Sequence, residues 1–141
     1  MKETICTTTG IIGALITRLY GGWDAALTTL VIFMTIDYIT GFIVAAVFHK
    51  SEKSQNGALE SKAGFIGLCK KGVIMLIVLM ACRLDMVVGS TFIKDATVIG
   101  FIVNESISII ENAAAMGILV PSPIMQSIDI LRKKSENNEN K

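Results

Sequence analysis

The chain has 141 residues, of which 52% are hydrophobic and only 18% charged, with a formal net charge of +1 and a mean hydropathy of +0.61. Length alone sets the expectation of one domain, and this much apolar material excludes disorder over most of the chain. Soluble domains carry about 25% charged residues; here the apolar residues come in blocks of membrane-spanning length, which excludes an ordinary water-soluble globule, and the near-zero net charge leaves no signature for nucleic acid.

In chain order, Ile5–Tyr20 comes first. It holds three consecutive threonines, two glycines and Arg18, and its purely apolar stretch, Ile11–Ile16, is short. It reads as a weak fourth span with Arg18 snorkelling to the interface, or as a helix lying in the interface plane. No A-x-A-like site follows, so a cleaved signal peptide fits poorly. Gly21–Asp24 then makes a turn, with Trp23 as an interfacial anchor.

Three strong spans follow. Ala25–Phe48 has one charge, Asp37. Gly72–Ile93 contains Arg83 and Asp85, and Ala96–Val120 contains Glu105 and Glu111, with Pro121 and Pro123 as the stop. At about 1.5 Å per residue each can cross a hydrocarbon core of about 30 Å. The fold class is therefore an all-α integral membrane protein, with a membrane domain over residues 1–128 and a polar tail over 129–141, read as a frayed amphipathic helix followed by disorder.

Orientation follows from Lys and Arg. The connection 49–71 carries Lys50, Lys53, Lys62, Lys70 and Lys71 against Glu52 and Glu60, and reads as a cytoplasmic loop. Arg132, Lys133 and Lys134 put the C-terminus on the same side, while the Lys94–Asp95 turn is external. If Ile5–Tyr20 also spans, the N-terminus is inside, which Lys2 favours.

Catalytic chemistry finds no footing. Cys6, Cys69 and Cys82 are odd in number and lack CxxC spacing, which argues against a disulfide scaffold and a zinc site; they read as small apolar packing residues. The single histidine, His49, sits in a polar segment beside Lys50. Neither a GxGxxG nor a GxxxxGK[ST] pattern occurs. No enzyme activity, cofactor or metal is expected.

The last span carries the strongest polar signal. With Asn104 set at 0° on a helix of about 100° per residue, Glu111 falls near −20°, Ser108 near 40°, Asn112 near 80° and Glu105 near 100°. Five polar residues thus share an arc of about 120°, with Gly100 beside it near −40°. A charge near a span's centre costs roughly 2.5–3.5 kcal/mol, and each large apolar residue returns only about 0.3–0.6. The polar residues here roughly cancel the apolar ones, so the arc must face other helices or water. Two readings stand: a buried internal network with Arg83 as partner, or an inter-subunit or water-lined face. A proton-coupled site is a third, smaller alternative. Asp37 is the other anomaly. Arg83 is its candidate partner, and Thr40 and Gly41 lie close by, with Gly41 permitting close helix approach. Arg83 and Asp85 do not share a helix face and are tolerated towards the outer end of their span.

The order of these features resembles a known family. Asp37-x-x-Thr40-Gly41 lies in a span, a lysine-rich loop follows, and Gly64, Gly67, Lys70, Lys71 and Gly72 lead into the next span. Asp85, the run NESISIIEN (104–112), Gly117 and Pro121 complete the series. Over residues 25–134 this resembles the phage holins related to clostridial toxin-secretion holins, with NESISIIEN its most specific part. The resemblance implies a homo-oligomer of the bacterial cytoplasmic membrane that forms timed lesions in the lipid bilayer and releases endolysin or toxin. It implies no cofactor and no required direct contact with endolysin. The positions that carry over are Asp37, Thr40, Gly41, Asn104, Glu105, Ser108, Glu111 and Asn112. The N-terminus is where family members vary, and no second Met occurs before Met34 for a dual-start inhibitor.

A small transporter, an ion channel or a holin-like inhibitor is the competing expectation. The strong Lys/Arg bias of the connecting segment counts against a dual-topology exporter, and no selectivity filter is visible.

Overall fold

A computed structural model describes residues 1–48 and 57–139, with only the backbone of 57–60 and 139. Among the described residues there are five helices and no strand: α1 (Lys2–Leu19), α2 (Ala25–Ala46), α3 (Gly57–Val88), α4 (Phe92–Ala115) and α5 (Ser122–Glu139). Three of them, Ala25–Ala46, Ser61–Val88 within α3 and Phe92–Ala115, are long and apolar enough to cross a membrane. The expected all-α membrane architecture is present.

Helix α1 has no buried residue. Its threonines back-bond to their own helix, Thr7 to the Glu3 carbonyl at 2.8 Å and Thr17 to the Gly13 carbonyl at 2.9 Å, which satisfies the hydroxyls locally. Anchoring starts only at Tyr20, which is buried and donates its hydroxyl to the Met75 carbonyl at 2.8 Å. Gly21 and Gly22, with φ of 71° and 108°, then reverse the chain, a conformation that favours glycine. Asp24 caps α2 by accepting from the Leu27 amide at 2.9 Å, and Trp23 donates its indole N–H to Thr28 at 2.9 Å.

The boundaries of α3 and α4 differ from expectation for identifiable reasons. Helix α3 begins at Gly57 rather than Gly72, so much of the expected loop 49–71 is helical. Lysines are good helix formers, and a charged stretch need not end a helix. The loop residues His49, Lys50, Glu52 and Lys53 lie outside the described residues. Gly89, at φ 77°, follows the last residue of α3, Val88, so the helix ends five residues before the expected Ile93. Helix α4 stops at Ala115 through Gly117, at φ 78°, whose amide bonds to the Ala114 carbonyl at 3.0 Å. The stop is this glycine, and Pro121 instead leads into α5. The tail is also more ordered than expected, because 122–139 forms one helix packed against α4. Asn140 and Lys141 lie outside the described residues.

The core lies between α2, α3 and α4. Leu27, Leu30 and Met34 of α2 meet Val78 and Cys82 of α3 and Val98 and Ile102 of α4, with Tyr20 closing one end. These residues recur at spacings of three and four on α2 and of four on α3 and α4, the stripe of a packed helix seam. The outside is as apolar as the inside: Ile39, Phe42, Phe65, Leu68, Leu76, Met80 and Val87 are all exposed. An apolar surface this continuous is unsuited to water and suited to lipid. Cys82 is buried as a packing residue, whereas Cys6 and Cys69 are exposed.

Candidate functional site: an intramembrane charge cluster and a polar helix edge

The seam changes chemistry along its length. On α2 the buried stripe Leu27, Leu30, Met34 continues to Asp37 and Gly41. On α4 the stripe Val98, Ile102 continues to Glu105 and Asn112. On α3 the stripe running back from Cys82 through Val78 and Ile74 reaches Lys71. The apolar seam thus turns into a polar one, and its side chains find each other.

The Lys71 ammonium donates to Asp37 Oδ2 at 2.7 Å and to Glu105 Oε2 at 2.5 Å. The three charges come from three helices, and the Glu105 side chain is only 4% exposed. Asn112 extends the cluster, with its amide nitrogen donating to Asp37 Oδ1 at 3.1 Å and to Thr40 Oγ1 at 3.0 Å. Thr40 in turn donates to the Ile36 carbonyl at 2.9 Å. Beside the cluster lies a cavity of about 680 Å³, lined by Asp37, Gly41, Lys71, Asn104, Glu105 and Asn112 among others. Two carboxylates share one ammonium, and removing one partner of a buried ion pair costs about 3–5 kcal/mol.

Arg83 is not the partner of Asp37. It is exposed and its guanidinium lies 3.1 Å from the Met86 sulfur. Twelve residues separate it from Lys71, about 18 Å along the helix, so it sits far from Asp37. Lys71 itself had been expected in the loop, and once α3 extends back to Gly57 it falls inside the bundle. The missed signal was its place on the stripe Lys71, Ile74, Val78, Cys82.

Asp85 is a second surprise. It is 5% exposed and pairs with no arginine. Its carboxylate accepts from Ser90 Oγ at 2.5 Å and from the amides of Ile93 at 3.0 Å and Lys94 at 2.7 Å. It thereby satisfies orphan donors at the start of α4. Close by, Lys94 pairs with Asp24 and ties the starts of α2 and α4 together. Burial works to raise the Asp24 carboxyl, but the Lys94 ammonium and the Leu27 amide outweigh it and hold the group below its ordinary value.

The polar arc of α4 is split. Glu105 and Asn112, at one edge, turn inward to the charge cluster. Asn104 and Glu111, at the other edge, are exposed, and Ser108 between them is partly buried. The inner edge belongs to an internal network as one reading expected, with Lys71 rather than Arg83 as its cation; the outer edge is exposed. Ser106, outside the arc, is buried and donates to the Ile102 carbonyl at 2.7 Å. Gly41 lies under the Asn112 amide; a Cβ there would sit 3.6 Å from it, an ordinary contact, so this packing does not demand glycine. Tighter approach occurs at Gly64, where a Cβ would lie 3.3 Å from the Tyr38 hydroxyl. Among the described residues no group of three or more His, Cys, Asp or Glu side chains is placed to hold a metal.

Three apolar helices with a charged seam define a multi-pass α-helical membrane protein. Sequence comparison gives the family: the bacteriophage holin family matches residues 14–133, and the chain belongs to it. It is 36% identical over 135 residues to an uncharacterised protein of Clostridium perfringens, covering 93% of this chain and 94% of that one. An uncharacterised protein of Listeria monocytogenes is 35% identical over 130 residues, covering 92% of this chain and 87% of the relative. A protein of Bacillus phage phi105 named as a probable holin is 28% identical over 116 residues, covering 82% and 80%. No solved structure matches the chain. The holin family is not an enzyme family.

Proposed function

We propose that this protein acts as a holin: it oligomerises in the bacterial cytoplasmic membrane and forms lesions that release endolysin or toxin, leading to timed lysis of the host. The observation that carries this is the exposed edge of α4, where Asn104, which also lines the cavity, and Glu111 stand uncovered within a membrane-spanning helix. A carboxylate at the centre of a span costs roughly 2.5–3.5 kcal/mol; Glu111 lies about one turn from the end of α4 and Asn104 near its middle, so facing lipid the pair carries a smaller but unfavourable cost. A second copy, or water in a lesion, removes that cost. One such edge per protomer, repeated head to tail, builds a ring or an arc of any size.

In this reading the lysine-rich segment faces the cytoplasm, so α2 and α4 run inward, α3 runs outward and the C-terminus is cytoplasmic. Helix α1 either spans or lies in the interface. In the structure α5 lies along α4, with Ser135 beside Gly100 about 12 Å from the Phe92 end. Arg132 and Glu136 on it form an exposed ion pair. When α4 spans a bilayer, charges at that depth are costly, so α5 swings about the 116–121 connection onto the cytoplasmic surface. That movement uncovers Gly100, which adjoins Asn104 and Glu111.

The test is induced expression in a bacterium that holds a cytoplasmic muralytic enzyme, following turbidity and membrane potential. Abrupt lysis after a delay, dependent on the enzyme, is the expected result. Gradual loss of potential without enzyme release would indicate a small channel or transporter, and steady growth an inhibitor; either would overturn the holin reading.

A further inference from the structure

Resting on the holin reading above, we infer that Lys71 is a positioning residue that holds α4 in a closed arrangement. It joins Asp37 of α2 and Glu105 of α4 into an intramembrane latch whose opening completes the polar face of α4. The geometry is specific. One ammonium bridges carboxylates from two other helices at 2.7 and 2.5 Å, all three side chains are at least four-fifths buried, and Asn112 binds the same Asp37.

While the latch holds, only Asn104 and Glu111 are presented outward, and Glu105 and Asn112 are spent inside the protomer. Once Lys71 lets go, the other ammonium lining the cavity is that of Lys70, which is exposed, and a carboxylate it does not reach is satisfied by water or a neighbouring copy. Glu105 and Asn112 then join Asn104, Ser108 and Glu111 in one continuous strip about 120° wide. The closed form buries its charges together and the open form wets them together, so intermediate states with one group stranded are disfavoured. A two-state element of this kind moves from almost all closed to almost all open when their relative stability changes about 10⁴-fold. The cavity beside the cluster gives the side chains room to separate without repacking the apolar half of the seam.

The experiment compares lysis onset at equal amounts of protein in the membrane fraction, measured by quantitative blotting. The variant Asp37→Asn with Lys71→Met and Glu105→Gln keeps side-chain volume and removes the latch charges. It is expected to lyse earlier than the unmodified protein. The exchange Asp37→Lys with Lys71→Asp keeps one ammonium and two carboxylates in place and is expected to restore the delay. Unchanged or later onset in the neutral triple variant, or early onset in the exchange, would overturn the latch.

A second measurement leaves the charges intact and covers the case in which the triple variant fails to accumulate. Thr40→Cys with Asn112→Cys, in a background with Cys6, Cys69 and Cys82 changed to Ala, links α2 to α4 when oxidised. Oxidation is expected to abolish lysis and reduction to release it. Lysis on schedule by the oxidised protein would overturn the proposal. If the unmodified protein forms no lesions at all, the holin reading fails first, and that result is distinct from either outcome above.

Discussion

The two halves of the helix seam use the same spacing and opposite chemistry. Towards the start of α2, Leu27, Leu30, Val78 and Val98 are closed off from solvent. That half is framed by the Asp24–Lys94 pair and the Asp85 cap. Towards the end of α2, Asp37, Lys71, Glu105 and Asn112 occupy equivalent stripe positions beside a cavity of about 680 Å³. Apolar packing is non-directional and holds wherever surfaces meet. A charge network is directional and has a wet alternative. The first half therefore suits a permanent joint and the second a joint that can exchange partners.

Several measurements break or sharpen this contrast. The largest effects belong to the seam itself. Lys71→Met strands two carboxylates and should cost roughly 3–5 kcal/mol, read as a lower unfolding midpoint in detergent. Leu27→Ala should cost about 2–5 kcal/mol in the same measurement but leave the timing of lysis at matched protein levels close to normal. If Leu27→Ala advances lysis as the neutral latch variant does, the two halves are not distinct.

Asp85→Ala is next. It removes three hydrogen bonds at the start of α4, and the loss of a cap costs about 0.5–2 kcal/mol. Faster amide exchange confined to residues 90–95 would report it. Glu111→Leu should change stability less than replacing Asp37, Asp85 or Glu105, because its side chain is exposed, yet it should reduce enzyme release. Reduced release without reduced accumulation separates the outer edge of the arc from the inner one.

The smallest effect is the acid response of Asp24. Its carboxyl is held below its ordinary value, so the stability it contributes is present above about pH 4 and is lost as pH falls through the lowered folded value. Asp24→Asn should flatten that limb of the stability–pH curve. An unchanged acid limb would mean that the pairing with Lys94 contributes nothing measurable, as many exposed pairs do.

Much of the fold was legible in the residues. The three spans were visible as apolar blocks interrupted by one or two charges each, and Trp23 and Asp24 marked a turn. The polar arc of α4 was legible as an arc, since helical angles follow from spacing alone. Its division was not, because which edge turns inward depends on where α2 and α3 lie. Lys71 was misplaced because a lysine-rich stretch reads as loop when hydropathy defines the boundary, although the helix continues through it. Arg83 was assigned to Asp37 by charge complementarity within the spans, and a helix rise of about 1.5 Å per residue puts it too far away. Gly117 was overlooked as a stop because Pro121 is the louder signal, and the packing of α5 rests on Leu131 and Ser135, which no periodicity singled out.

The most direct test concerns the exposed edge of α4. In the background with Cys6, Cys69 and Cys82 changed to Ala, Asn104→Cys and Glu111→Cys are probed with a membrane-impermeant thiol reagent before and after lysis onset. Phe42→Cys, on the lipid-suited outside of α2, serves as reference. Reaction at 104 and 111 that rises sharply at onset while 42 stays unreactive is the expected result. Equal, low reaction at all three positions before and after onset would contradict a water-lined role for this edge.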